Sequence, residues 1–215
     1  MELYEEIKFK GLDFVYIGNT KDGRSKILLK NVLTEEQIKK YCEDDKYRDG
    51  NEVRHSFNLY PPFNWEDSYI KNVILPNFIK DLGLSEENVE ATLLSKEEVE
   101  SLPEDIKKCN AWYWTKSNAS DENDKFAYAW FVGNDGYVNY SFMGMYSFAV
   151  RPVFYLDSTL ICSDEAKQSD SNWETSKLVC KNKLKNITTL DDDCDYEDIV
   201  SRINEITDIL KEMTK

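Results

Sequence analysis

The residue types that perform most enzyme chemistry are scarce in this chain. His55 is its only histidine, which excludes most metal sites and most acid–base or nucleophile–base catalysis. Because charged residues lie beside it in the sequence, His55 is predicted to be solvated. The glycine-rich loops that bind nucleotides and the Gly-x-Ser-x-Gly elbow of hydrolases are also absent. We therefore expect no catalytic residue, no metal and no cofactor, in a protein that is not an enzyme.

Cysteine chemistry needs a thiol that is activated or paired with a second thiol. No neighbouring residue activates any cysteine of this chain. The cysteines are odd in number and scattered, without a Cys-x-x-Cys pair: Cys42, Cys109, Cys162, Cys180 and Cys194. The pattern indicates reduced, buried, structural thiols, as in a cytoplasmic protein.

The acidic run Asp191–Asp195 has the composition of a calcium loop but not its pattern. Tyr196 occupies the position that needs glycine, and Arg202 occupies the position of the bidentate glutamate. We interpret the run as a linker whose charge favours the N-terminus of a following helix. A carboxylate pair for glycoside hydrolysis stays open, because spacing in the sequence does not give separation in space.

Half of all Trp, Tyr and Phe residues lie within residues 112–155, whose second half carries almost no charge. Tyr with Asn and Ser offers rigid, amphipathic contact area, and Met adds adaptability. Strand alternation places Val138 inward and Tyr137 and Asn139 outward. The alternative interpretation is that the rings only fill a β core. The predicted ligand-binding residues are Tyr137, Asn139, Tyr140, Phe142, Met143 and Tyr146.

Hydrophobic patterns and turn residues predict the elements that must position this stretch. Capping boxes that begin at Thr34 and Ser95 predict two helices. Asn64 is expected to cap a further helix, which Pro76 kinks or restarts and which ends before Gly83. Strands are expected at 7–9, 12–17, 27–29, 91–94, 128–132, 137–141 and 148–155.

The chain is polar again after the aromatic stretch. Residues 163–172 are predicted to form a loop, and residues 173–185 are either helix or strand. Apolar residues then repeat at alternating spacings of three and four, which predicts an amphipathic C-terminal helix. That helix either packs against the protein's own body or mediates a homo-oligomer. The repeating residues are Tyr196, Ile199, Ile203, Ile206, Leu210 and Met213.

The chain is strongly acidic, with 41 Asp and Glu against 27 Lys and Arg and a net charge of −14. Such a surface repels a phosphate backbone, which disfavours direct nucleic-acid binding. No basic segment followed by an apolar run begins the chain, so no signal peptide is predicted. No stretch has the roughly 20 apolar residues of a transmembrane helix. We expect a cytoplasmic protein that does not bind membranes.

Four ordered motifs in the aromatic stretch resemble those of a known group of domains. They are Ala111-Trp-Tyr-Trp-Thr-Lys-Ser117, Ala127-Tyr-Ala-Trp-Phe131, Gly136-Tyr-Val138 and Phe148-Ala-Val-Arg-Pro152. Bacterial and phage domains with a C-type lectin-like fold carry similar motifs in this order. The group includes the variable proteins of diversity-generating retroelements, the Fibrobacter-type major paralogous domains and small Firmicutes domains. Trp65-Glu-Asp-Ser68 is similar to a helix start in the Firmicutes domains.

The resemblance covers about residues 7–156 and implies an α+β, C-type lectin-like fold with short antiparallel strands and two or more helices. Its Trp and Val-Arg-Pro positions would be scaffold, and the surface between the last two strands, here Asn139–Tyr146, would bind the ligand. The guanidinium of Arg151 is expected to satisfy loop carbonyls or a carboxylate. The predicted organisation is a lectin-like domain at 1–157, a loop-rich extension at 158–190, and an acidic linker with the C-terminal helix at 191–215.

These patterns favour a non-enzymatic binding module that presents an aromatic, uncharged surface to a protein or carbohydrate partner. The alternative is an acidic intracellular inhibitor of phage or mobile-element origin, which mimics nucleic acid and blocks a host nucleic-acid enzyme. A third hypothesis is an enzyme similar to the formylglycine-generating enzymes, which resemble the same fold. That chemistry would need Cys162 and Cys180 to approach each other.

Overall fold

The computed structural model describes residues 1–56, 64–121, 123–145 and 147–161. Met1–Ile161 form one compact unit of α+β architecture with antiparallel sheets. The predicted loop, the undecided segment at 173–185 and the C-terminal helix lie outside the described residues. The same holds for Tyr146, Cys162, Cys180 and Cys194.

The secondary-structure elements are short and alternate along the chain. The strands are β1 (Glu6–Phe9), β2 (Leu12–Asn19), β3 (Ser25–Leu29), β4 (Arg48–Asp49), β5 (Glu52–Val53), β6 (Val89–Thr92), β7 (Tyr113–Asn118), β8 (Tyr128–Val132), β9 (Val138–Phe142) and β10 (Val153–Leu156). The α-helices are α1 (Glu35–Tyr41), α2 (Leu75–Asp81), α3 (Lys96–Glu100) and α4 (Glu104–Lys107). Within the described ranges, no helix combines the length and the apolar character needed to cross a bilayer.

A five-stranded antiparallel sheet joins the two ends of the described unit, with the order β1-β2-β3-β10-β6. β10 lies between β3 and β6, and all four of its residues are buried. Phe154 and Leu156 belong to one hydrophobic cluster, whereas Val153 and Tyr155 belong to another. Because both faces of β10 are buried, its sequence is a continuous apolar run and does not alternate between apolar and polar residues.

Both predicted capping boxes are present. At the start of α1, Thr34 Oγ1 accepts a hydrogen bond from the Gln37 amide at 3.3 Å, and Gln37 Oε1 accepts one from the Thr34 amide at 2.8 Å. Ser95 and Glu98 make the same reciprocal pair at the start of α3, at 3.2 and 2.9 Å. Each box satisfies two amides that have no partner within the helix.

Removal of one cap is expected to lower the free energy of unfolding by about 1 kcal/mol. Thr34→Ala deletes the hydroxyl that holds the Gln37 amide, whereas Thr34→Ser keeps a hydroxyl and is the matched control. Urea denaturation at neutral pH measures both variants. Equal stabilities of the two variants would contradict this role of the cap.

A short 3₁₀ helix, Trp65–Asp67, lies where the sequence predicts the start of an α-helix. Asn64 Oδ1 accepts a hydrogen bond from the Asp67 amide at 3.0 Å and caps it. The chain then passes through a π-helical turn, Ile70–Ile74, into α2. Pro76 lies in the first turn of α2, directly after the π-helical turn. Gly83 follows the end of the helix with a φ of +66°, so the predicted end of the helix is confirmed.

The strand predicted at 148–155 is shorter in the structure. Pro152 has no amide to donate, and the chain enters the five-stranded sheet only at β10. Before that point, Ala149 makes isolated bridges to Glu52 and Tyr113. These bridges connect β5 and β7 to the segment that leads into β10.

Candidate functional site

The aromatic stretch forms a three-stranded antiparallel sheet in the order β7-β8-β9. β8 and β9 pair so that Tyr128 lies opposite Phe142 and Trp130 lies opposite Tyr140. Residues directly opposite each other share a face of a sheet, and neighbours along a strand point to opposite faces. The register therefore places these four rings on one face.

We name this surface the aromatic face; it comprises Tyr128, Trp130, Tyr140 and Phe142, with Phe126 beside them. Its rings meet edge to face, with centroid distances between 5.5 and 6.3 Å. Tyr140 is 55% exposed and Phe126 is 44% exposed, while the other three side chains are half-buried. Edge-to-face pairs favour fixed ring orientations. The sheet therefore displays an ordered group of rings to solvent.

The opposite face of the same sheet packs into the core. Trp114, Phe131 and Phe148 are buried there, and the rings of Phe131 and Phe148 stack at 4.4 Å. Trp112 and Tyr137 lie at the rim of this cluster, and each is 41% exposed. These two exposed rings therefore rest on core aromatic residues rather than on the aromatic face.

The structure divides the predicted ligand-binding residues between several places. Tyr140 and Phe142 belong to the aromatic face, whereas Tyr137 and Asn139, both exposed, lie on the other side of β9. Met143 has no exposed surface and packs in the main hydrophobic cluster, which corrects its assignment to the binding surface. Tyr146 lies outside the described residues. The predicted set is therefore not one continuous surface.

Phe126, Tyr128 and Trp130 are members of the aromatic face that were not predicted as site residues. They alternate along the chain with Ala127 and Ala129, both of which are fully buried. In a strand where rings alternate with alanines, the small side chains fit against a close-packed core and the rings face outward. This local alternation is the signal that identifies them.

Two glycines provide space for rings to lie over the backbone. A Cβ atom added at Gly144 would overlap the ring of Phe142, and one added at Gly133 would overlap the ring of Tyr137. One ring belongs to the aromatic face and the other to the opposite side. The orientation of Phe142 therefore depends on the absence of a side chain at position 144.

Helix α3 borders the aromatic face through Lys96. The Lys96 ammonium lies 4.3 Å from the centroid of the Trp130 ring, which is within the range of a cation–π contact. The same ammonium is 3.3 Å from Glu100 Oε1. The Lys96 amide donates to Ser117 Oγ at 2.9 Å and fixes the start of α3 to β7. The Trp130 ring is thus already in contact with a cation of the same chain, the Lys96 ammonium.

The loop between β7 and β8 borders the aromatic face at Phe126. It is tied to β8 because the Tyr128 amide donates to Ser120 Oγ at 2.6 Å. Within the loop, Asp124 Oδ2 accepts a hydrogen bond from the Asp121 amide at 2.8 Å. The loop therefore holds two carboxylates next to the strand that carries the rings.

Arg151 connects the scaffold behind the site and is only 3% exposed. Its Nε and Nη2 donate to the carbonyls of Leu29 and Lys30, each at 2.9 Å. Its Nη1 donates to the carbonyls of Ile106 and Lys107 and to the hydroxyl of Tyr113, at 2.9, 3.2 and 3.2 Å. Of the two alternatives expected for this guanidinium, the structure shows backbone carbonyls rather than a carboxylate. Those of Leu29, Ile106 and Lys107 belong to β3 and α4, however, and only that of Lys30 lies in a loop.

His55 is fully buried, which corrects the expectation of a solvated side chain. Its Nε2–H donates to the Thr115 carbonyl at 2.8 Å, and its ring contacts Trp65 and Trp114. Burial lowers the pKa of His55 to about 4, so the imidazole is neutral near pH 7. Among the side chains that the structure describes, no three of His, Cys, Asp or Glu are grouped to hold a metal.

Comparisons of the chain with known protein families, with curated proteins and with solved structures find no match. The aromatic face, its charged rim and the buried groups behind it are therefore the features on which a functional proposal rests.

Proposed function

We propose that the chain is a non-enzymatic binding module of C-type lectin-like fold that presents the aromatic face to a protein partner in the cytoplasm. The observation that carries this proposal is that Tyr140 is exposed and packs edge to face against the half-buried rings of Tyr128 and Trp130. Proteins seldom leave large apolar side chains exposed in contact with one another, and such patches mark interaction surfaces. Tyr and Trp also contribute much of the binding energy at protein interfaces.

The positions of the resembling motifs support the C-type lectin-like fold. Trp114 on β7 is buried, and Arg151 is buried one residue before the proline that precedes β10. The resemblance assigns scaffold roles to these motifs, and burial agrees with such roles. β8 supplies Tyr128 and Trp130 to the aromatic face, so the proposed surface begins earlier in the chain than the resemblance implies.

The ring geometry favours a protein partner over a carbohydrate. A sugar ring stacks flat on an aromatic ring whose face is open. Here the Lys96 ammonium covers one face of Trp130, and Tyr140 meets Trp130 at an interplanar angle of 73°. Protein side chains fit such an uneven group of rings better than a flat pyranose does. A carbohydrate remains an outcome that glycan-array binding would reveal.

Tyr140→Ala is expected to abolish partner binding, because it removes the most exposed ring of the aromatic face. Tyr137→Ala is the matched control: it removes the same side chain type, 41% exposed, from the opposite side of β9. Affinity capture from native lysate with quantitative mass spectrometry compares both variants with the wild type. Proteins lost with Tyr140→Ala and retained with Tyr137→Ala support the proposal. Loss in both variants or in neither would contradict it.

Gly144→Ala is expected to weaken the same binding several-fold without unfolding the chain. The added methyl group must displace the ring of Phe142 from the aromatic face, and a ring at a side-chain end can rotate at modest cost. Gly133→Ala is the control, because it displaces the ring of Tyr137 instead. Titration of a captured partner measures both affinities. Equal weakening by the two variants would argue against a role for the aromatic face.

The acidic inhibitor remains a second proposal, which the net charge of −14 favours. Charge mimicry of nucleic acid predicts a basic nucleic-acid enzyme as partner, with binding that weakens steeply as salt is added. Such binding would not depend on Tyr140. Capture at two salt concentrations, with and without Tyr140→Ala, separates the two proposals. The enzyme hypothesis depends on Cys162 and Cys180, which lie outside the described residues.

A further inference from the structure

We infer that the partner offers a basic segment, whose Lys or Arg side chains dock on the rings of the aromatic face between the carboxylates of its rim. This inference rests on the proposed function and specifies the chemistry of the partner.

The chain itself contains one example of the contact. The ammonium of Lys96 lies over the Trp130 ring at 4.3 Å and reaches Glu100 Oε1 at 3.3 Å. A ring face carries partial negative charge, and a nearby carboxylate adds a full one. The Trp130 ring and the Glu100 carboxylate together form a site for an ammonium or guanidinium group, which the Lys96 ammonium occupies.

A second ring of the aromatic face, that of Tyr140, has no basic side chain over it in the described contacts. Tyr140 packs edge to face against Trp130 and Tyr128, and it remains more than half exposed. Rings of this kind, exposed and fixed, bind cations from a partner.

The charges at the rim are mainly negative. On one side, α3 exposes Glu97 and Glu100, and Lys96 is paired with Glu100. On the other side, the loop before Phe126 carries Asp121 and Asp124, with Lys125 as its single basic residue. Added to the net charge of −14, this arrangement attracts a cationic partner and repels an anionic one.

A random dodecapeptide library displayed on phage, selected on the immobilised full-length chain, identifies the preferred chemistry without knowledge of the partner. We expect the selected peptides to be rich in Lys and Arg. One selected peptide, made synthetically, is then titrated against the wild type and the variants. Replacement of its Lys by norleucine, or its Arg by citrulline, should abolish binding.

Two variants of one residue separate a cation–π contact from simple apolar contact. Tyr140→Phe retains the ring, and we expect peptide affinity to change less than about 2-fold. Tyr140→Leu retains apolar area but removes the ring, and we expect a loss of about 5- to 30-fold, the upper part of the range of cation–π contacts, because the bound partner shields the contact from water. A partner that binds through apolar contact would tolerate both variants alike.

Lys96→Met gives the sharpest test, because it is expected to increase affinity. The substitution keeps the apolar stem but removes the ammonium that competes for the Trp130 ring. Lys116→Met on β7 is the matched control: it removes the same charge, but the Lys116 ammonium lies 3.8 Å from Glu98 Oε2. A general charge effect would strengthen binding equally in both variants, whereas release of the ring strengthens it only in Lys96→Met.

The outcomes distinguish failure of this inference from failure of the proposed binding function. Basic peptides that require the Tyr140 ring and bind better to Lys96→Met support the inference. Selected peptides without basic residues that still require Tyr140 overturn the inference and leave the binding function intact. Peptides that bind equally to wild type, Tyr140→Leu and Tyr140→Ala overturn both.

Discussion

Arg151→Ala is expected to lower the free energy of unfolding by about 3–5 kcal/mol. The buried guanidinium makes five hydrogen bonds. Removal of the side chain takes the guanidinium donor away from the carbonyl oxygens of Leu29, Lys30 and Ile106. Each acceptor that stays buried and unsatisfied costs about 1–3 kcal/mol. The free energy of unfolding therefore falls strongly even if water reaches some of these carbonyls.

The effect is large because Arg151 joins segments that are far apart in the chain. Leu29 ends β3, whereas Ile106 and Lys107 form the end of α4, where helix carbonyls lack partners within the helix. Tyr113 begins β7 and also donates its hydroxyl to the Lys107 carbonyl at 2.8 Å. Arg151→Lys keeps the charge but not the planar fork of donors. We expect it to recover less than half of the lost stability.

Arg24→Ala is the control for this prediction, because it is the same substitution at a residue that, like Arg151, lies shortly before a strand of the five-stranded sheet. The Arg24 guanidinium makes ion pairs with Asp22 and Glu90, at 2.9 and 3.0 Å, but is substantially exposed. Exposed ion pairs contribute less than about 1 kcal/mol. Urea denaturation of the two alanine variants compares them directly. A cost for Arg24→Ala that equals or exceeds the cost for Arg151→Ala would refute the argument.

The elements that the sequence predicts correctly are those defined by neighbouring residues. The capping boxes at Thr34 and Ser95 close hydrogen bonds over three residues, and β8 has the bounds predicted for it. The burial of His55 could not be predicted from its neighbours in the sequence. Its hydrogen-bond partner, Thr115, is 60 residues away, and charged neighbours in the sequence do not indicate the direction of a side chain.

The candidate site was predicted only in part for a related reason. The sequence shows that the stretch around Tyr140 is rich in rings, and Tyr137 and Asn139 are exposed as predicted. The predicted alternation is nevertheless wrong, because Val138, expected to point inward, shares its face of β9 with Tyr140, which is 55% exposed. A continuous run of residues, however, divides between two faces of a strand. Which rings share a face depends on the pairing of Trp130 with Tyr140, and that register is a property of two strands rather than one.

Acid is expected to destabilise the chain through His55 by about 3 kcal/mol between pH 7 and pH 4. Burial lowers the pKa of His55 from 6.5 to about 4. Between these values the unfolded chain binds a proton that the folded chain does not bind. The free energy of unfolding therefore rises with pH across this window and falls on acidification, by about 1.4 kcal/mol for each pH unit.

The surroundings of the imidazole explain why it resists protonation. The Nε2–H already donates to the Thr115 carbonyl, so an added proton would go to Nδ1. That nitrogen is buried and has no acceptor among the described residues. Trp65 and Trp114 contact the ring, and both are poor substitutes for water around a full positive charge.

His55→Gln is the variant that isolates this effect, because its amide can donate to the Thr115 carbonyl but does not titrate. Carboxylates titrate in both chains, so their contribution cancels in the difference between the two unfolding free energies. We expect the variant to be less stable at pH 7 and the gap to shrink by about 3 kcal/mol as the pH falls to 4. A gap that stays constant would mean that the folded chain protonates His55 as readily as the unfolded chain.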